Sequence, residues 1–208
     1  MKFLLFLYTA ALLAGCQSRQ RPESTPLRQV GGPCEGCEAL FECGNRALNM
    51  VDTLPGFFEN EPRITLEGTV YQPDGKTPAE GVIIYIYHTN RDGIYPTRGG
   101  EQDWGRRHGY IRGWAKTGKD GRYAFFSFRP GAYPGRNIPE HIHITVKEPD
   151  TVPYYLEDFF FDDDPLLSAS QRASLRGRGG SGIVKLEAEG GLLHAKRDLV
   201  LGRNVEGY

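Results

Sequence analysis

From Ile64 onward the apolar residues of the chain recur at every second position, and the stretches between them carry turn signals. Ile64, Leu66, Gly68 and Val70 alternate with polar neighbours before Gln72-Pro73-Asp74-Gly75 reverses the chain. A period of two places alternate side chains on opposite faces of a strand, whereas a helix requires a period of 3.6. Val82, Ile84 and Ile86 interleave with Ile83, Tyr85 and Tyr87, which predicts a strand covered on both faces. Further strands are predicted over 110–116, 123–128, 141–147 and 196–201, with turns at Asn90-Arg91-Asp92-Gly93, Lys119-Asp120-Gly121-Arg122 and Arg129-Pro130-Gly131. Short strands spaced by turns predict an all-β fold, an antiparallel β-sandwich with long loops and one or two short helices. Helices are expected over 164–175, with Asp164 as N-cap and Pro165 in the first helical position, and over 37–50.

The chain has 208 residues, enough for one domain with a hydrophobic core. Its charges nearly cancel, at −1, so no basic excess points to a nucleic-acid partner. Lys2 precedes an apolar run over 3–13 that is too short to span a bilayer and fits the core of a signal peptide. Leu13-Ala14-Gly15-Cys16 resembles a bacterial lipobox, which implies cleavage before Cys16 and acylation of that residue. The domain plan is then a signal peptide over 1–15, a flexible tether over 16–32, and a sandwich domain over 33–208 that opens on a cysteine cluster. The expected location is the cell envelope, lipid-anchored and facing the periplasm or the exterior. Cys34, Cys37 and Cys43 lie close together without a nearby histidine, so they predict one local disulfide rather than a zinc knot, with the pairing left open.

His141-Ile142-His143 places two imidazoles on one face of a strand. By itself the motif fits two solvent-facing polar residues as well as two metal ligands. Tyr95 follows the Asp92-Gly93 turn, and Tyr133 sits within Pro130-Gly131-Ala132-Tyr133-Pro134. Phenolates are hard anionic donors that favour Fe(III), and the charge of the metal keeps them deprotonated well below the usual tyrosine value. Two phenolates would leave a ferric site near +1 in net charge, a different arrangement from a ferrous centre of two histidines and one carboxylate.

These residues, with Arg112-Gly113, Thr117-Gly118-Lys119-Asp120-Gly121-Arg122 and Pro139-Glu140-His141-Ile142-His143 in the same order, resemble the intradiol ring-cleavage dioxygenases. Phe161-Asp162-Asp163-Asp164-Pro165 resembles a later segment of that family. The resemblance implies Fe(III) held by Tyr95, Tyr133, His141 and His143, with Tyr95 and His143 equatorial and Tyr133 and His141 axial. It implies an aromatic diol and O₂ as substrates and a muconate-type dicarboxylate as product. Tyr133 would be displaced by the diol and then help to take up its proton, which is general-base work. The alternative is a module of the same fold that binds iron or catechol without turnover.

The chain departs from the family pattern at several positions. Ile138 stands where the family carries a charge-stabilising arginine, so Arg136 is expected to take over that catalytic role. Gly135 replaces a tryptophan. Asp158 replaces a glutamine, and if directed inward it would repel an anionic substrate. Asp158 and Trp104 are candidates for substrate contact; the alternative for Asp158 is solvation outside the pocket, and for Trp104, which lies in a loop that could close over the site, a packing or rim role as for Trp114. His88 and His108 are read as surface loop histidines, with pocket lining as the alternative, and Arg106-Arg107 as a solvated pair. His194 has no partner legible in the sequence. Only the tether and the cysteine cluster precede the sheet, so no helical dimerisation segment is expected, while a homo-oligomer stays compatible with the resemblance.

Overall fold

The computed structural model describes residues 26–208. The signal-peptide and Cys16 readings lie outside those residues. Twelve strands form two facing sheets among the described residues. The first sheet contains β1 (Val51–Thr53), β2 (Arg63–Tyr71), β5 (Arg122–Phe128), β10 (Glu187–Glu189), β11 (Leu192–Lys196) and β12 (Leu199–Val200), in the order β1-β5-β2-β11-β10, with β12 also paired to β2. The second contains β3 (Ile83–Tyr87), β4 (Arg112–Lys116), β6 (His141–Lys147), β7 (Tyr154–Tyr155), β8 (Phe159–Phe161) and β9 (Ile183–Val184), in the order β4-β3-β6-β8-β9, with β7 also on β6.

The core lies between the sheets and follows the alternation. Ile64, Leu66 and Val70 of β2 and Tyr123 and Phe125 of β5 pack on Ile84, Ile86, Ile142, Ile144 and Val146. Each such aliphatic side chain withdrawn from water contributes roughly 1.5–3 kcal/mol. The other face of β3 is buried as well, because Tyr85 and Tyr87 join Trp114, Ala39 and Leu40 in a second cluster. That outer cluster accounts for the doubly apolar reading of β3. The outer face of β6 beside it carries His141 and His143.

The structure corrects the sequence reading in several places. The sheets are mixed, since β1 runs parallel to β5, β11 and β12 run parallel to β2, and β8 runs parallel to β9. Alternation specifies faces but not strand direction, so this was not legible. The expected last strand is two strands, interrupted at Arg197 and Asp198. The helix expected from Asp164 starts later, at α2 (Ala169–Ser174), where Ser168 and Gln171 form a capping box. Asp164 is buried and its carboxylate is engaged elsewhere, accepting from Glu140 N at 2.6 Å and Leu166 N at 2.8 Å. The second expected helix is a 3₁₀ helix over Cys37–Cys43. The tether also ends earlier than expected. Arg28 bridges Thr151, and Val30 is buried in the core, so the domain starts before residue 33. Cys34 and Cys37 form the disulfide and Cys43 is a free thiol. His194 has a partner, with Nδ1 2.9 Å from Thr65 Oγ1.

Candidate metal centre

His141 and His143 lie two residues apart on β6, so both rings project from its outer face. The carbonyl of Pro139 accepts from His141 Nδ1–H at 2.7 Å. The carboxylate of Asp158 accepts from His143 Nδ1–H, with Oδ2 3.0 Å away. Both contacts select the Nδ1–H tautomer and leave Nε2 of each ring as the lone-pair donor.

Tyr95 and Tyr133 reach His143 Nε2 from two loops that are pressed together. Asn90 organises the first loop: its side-chain oxygen accepts from Asp92 N and Ile94 N, both at 3.0 Å. Its carbonyl accepts from Gly131 N of the second loop at 2.9 Å, and the Thr89 hydroxyl donates to Gly131 O at 2.8 Å. Gly93 and Gly131 make this contact feasible. A Cβ on Gly93, whose φ is +75°, would collide with the Ala132 carbonyl, and one on Gly131 would collide with the Arg91 carbonyl.

As a result three donor atoms converge. The Tyr95 hydroxyl donates to His143 Nε2 at 2.9 Å, Tyr133 Oη lies 3.3 Å from the same nitrogen, and the two phenol oxygens touch. The His141 ring stands perpendicular to that of His143, with centroids 4.6 Å apart. Burial, then the neighbouring Tyr133 hydroxyl, holds the Tyr95 phenol well above its usual range, and burial also raises Tyr133. A cation at the point of convergence is what would hold them as phenolates. Burial, then the His143 ring, keeps His141 below the usual histidine value and therefore neutral, the form a ligand requires. The two phenol oxygens and His143 Nε2, with the His141 ring beside them, form a mixed oxygen–nitrogen donor set whose hard phenol oxygens fit Fe(III).

His141, His143 and Asp158 also form a compact trio, with one donor atom from each within 4.8 Å of the others. Asp158 cannot share an ion with the tyrosines through His143. It faces Nδ1 while they face Nε2, and the lone pairs of the two nitrogens diverge. Burial alone would raise the Asp158 carboxyl, but the His143 ring beside it brings it below the usual aspartate value.

The remaining predicted residues are placed as follows. Arg136 is exposed and makes no ion pair among the described residues, and its charge lies close enough to Tyr133 to favour the phenolate. Ile138 is half-buried. Trp104 packs on His108 at 5.5 Å and, like Tyr95, lies against the Tyr85–Trp114 cluster. Arg106 and Arg107 are exposed, and Arg107 pairs with Glu35.

The surface reading of His88 and His108 is overturned. His88 is fully buried, donating from Nδ1 to Thr89 O and accepting from the Ser127 hydroxyl at Nε2, each at 2.7 Å. It braces the start of the Tyr95 loop. The signal was present, since His88 continues the inward parity of Ile84 and Ile86. His108 is buried and stacks on Tyr87 at 3.8 Å, and Tyr87 in turn stacks on His143 at 4.5 Å. No local pattern revealed that arrangement.

No family model matches the chain. It is 32% identical over 160 residues to catechol 1,2-dioxygenase 1 of Acinetobacter lwoffii, an alignment covering 67% of this chain and 47% of that one. It is 29% identical over 112 residues to the protocatechuate 3,4-dioxygenase beta chain of Burkholderia cepacia, covering 51% and 47%. The chain therefore spans about half the length of the curated relatives it matches. Its fold matches the hydroxyquinol 1,2-dioxygenase structure from Pseudomonas putida DLL-E4 with a TM-score of 0.56 at 19% identity, covering 86% of this chain and 68% of that one.

Proposed function

The chain is related to the intradiol ring-cleavage dioxygenases, and from that premise we propose that it holds Fe(III) and uses O₂ to cleave a catechol-type diol between its hydroxylated carbons. The observation that carries this reading is the convergence of Tyr95 Oη, Tyr133 Oη and His143 Nε2, with the second nitrogen of each histidine already engaged. Ferric iron bound there would withdraw electron density from a chelated diol and make a ring carbon reactive toward O₂.

The chain's own residues supply the rest. Pro139 O and Asp158 orient the two imidazoles. Tyr133, once held as a phenolate, would accept a proton from the diol and become the phenol, and Arg136 on the same loop favours its anionic form. Arg136 is free to face developing charge on the substrate, the task for which Ile138 has no charge. Phe160, whose ring lies 5.8 Å from His141, gives the site an apolar wall.

The test is direct. The purified chain loaded with iron should bind about one iron, absorb in the visible through tyrosinate-to-iron charge transfer, and consume oxygen with catechol or hydroxyquinol. Colourless, iron-free protein after iron supplementation would refute the reading. A spectrum that shifts on adding catechol without oxygen uptake would leave iron and diol binding without turnover.

We also propose that the protein works at the cell envelope, anchored through Cys16. Lys2, the apolar run over 3–13 and the lipobox-like Leu13-Ala14-Gly15-Cys16 support this. Membrane fractionation of the full chain and a Cys16→Ser variant tests it, and an unchanged membrane fraction for the variant would overturn it.

A further inference from the structure

Asp158 immediately precedes β8, and its backbone is clamped on both sides. The carbonyl of Glu157 accepts from the buried Arg197 guanidinium at 2.7 Å, and Glu157 N donates to Arg178 O at 2.9 Å. The Arg197 guanidinium also lies over the Phe159 ring at 4.7 Å. On the far side, Phe160 N donates to Gly182 O at 2.9 Å, while Phe159 and Phe161 are locked in the core. The carboxylate is therefore presented from a rigid base. It is three-quarters shielded from water and stands 3.0 Å from His143 Nδ1.

We propose that Asp158 is a positioning residue. It locks His143 in the Nδ1–H tautomer with Nε2 toward the tyrosines, and it places a fixed negative charge behind that ligand, so that the site favours a trivalent ion and diols without an anionic ring substituent. The second half rests on the ferric reading above; the first half does not. The physical basis is that a carboxylate on the outer nitrogen of a ligating imidazole fixes the ring and raises its basicity. In a poorly screened site the same charge repels a second carboxylate brought in on the substrate.

Two measurements separate the halves. In iron-free protein, ¹⁵N–¹H correlation of the imidazoles should report His143 as the Nδ1–H tautomer. Asp158→Ala should give a mixture of tautomers, and Asp158→Asn, whose amide oxygen still accepts, should restore the single form. An unchanged tautomer in Asp158→Ala overturns the positioning role whether or not the protein binds iron.

In iron-loaded protein, Asp158→Ala should weaken iron affinity about 10–100-fold. Asp158→Asn should keep the metal and move the tyrosinate charge-transfer band to longer wavelength. It should also lower KM for protocatechuate relative to catechol by about tenfold, with a smaller change in the kcat ratio. An unmoved band together with an unmoved KM ratio overturns the charge role. A wild-type protein that binds no iron overturns the ferric reading and the charge role together, and the tautomer result then stands by itself.

Discussion

Gly93 and Ala132 meet backbone to backbone, so closely that any side chain on Gly93 would strike the Ala132 carbonyl. This contact joins the loop of Tyr95 to the loop of Tyr133, whose hydroxyls touch. Gly93→Ala combines that collision with a left-handed φ of +75°. It should destabilise the fold by about 2 kcal/mol or more. Iron bound per chain should fall well below that of the parent while the far-ultraviolet β signal persists. Urea unfolding and elemental analysis check both effects.

The two tyrosines should respond differently to loss of the hydroxyl. Tyr95→Phe removes the oxygen that hydrogen-bonds His143 Nε2 at 2.9 Å and should remove most of the visible absorption and much of the iron. Tyr133→Phe should retain more iron and lose turnover by about 10²–10⁴-fold, the range of a missing general base. Parallel spectra and oxygen-uptake assays at matched iron loading distinguish the two.

Arg136→Ala should lower kcat/KM by about ten- to a hundredfold with iron content unchanged. The effect lies at the low end for charge stabilisation because the guanidinium is exposed. Arg136→Lys should recover part of the loss. Full activity in the alanine variant would remove Arg136 from the mechanism.

His88 and His108 make the iron-free fold sensitive to acid. Burial pushes each down to about 4, whereas histidines in an unfolded chain titrate near ~6.5. Between those values the unfolded chain takes up protons that the folded chain refuses. Stability is therefore fully present above about pH 6.5 and falls as the pH drops toward 4, by roughly a few kcal/mol for the two together. Urea midpoints at pH 7 and pH 4.5 measure the loss, and His88→Asn should reduce it. A midpoint independent of pH across that window would contradict the burial of both rings.

Local chemistry was enough for much of the architecture. Alternation at Ile64, Leu66 and Val70 and at Ile142, Ile144 and Val146 assigns each residue to a face, because the side-chain period of a strand depends only on its own backbone. Turn residues mark where strands stop for a similarly local reason. The grouping of Tyr95, Tyr133, His141 and His143 as one set came instead from the resemblance of the ordered motifs to a family, since His141-Ile142-His143 by itself fits two solvent-facing residues as well.

Strand direction was not available in that way. β11 and β12 return alongside β2 in parallel, and nothing within a five-residue stretch records the direction of its neighbour. The start of α2 likewise depends on a distant partner. Asp164 has the chemistry of an N-cap, but a distant backbone amide, Glu140 N, engages its carboxylate, so Ser168 caps the helix.

The sequence by itself determined the all-β class and the faces of the main strands, and its resemblance to a family put forward four residues as donors. Only the tertiary structure decided what stands behind those donors: Asp158 on His143, the buried His88 beneath the Tyr95 loop, and His108 stacked on Tyr87. The division has one physical cause. Secondary structure and side-chain facing follow from neighbours along the chain, whereas the partner of a polar group withdrawn from water depends on which residues folding brings across from it.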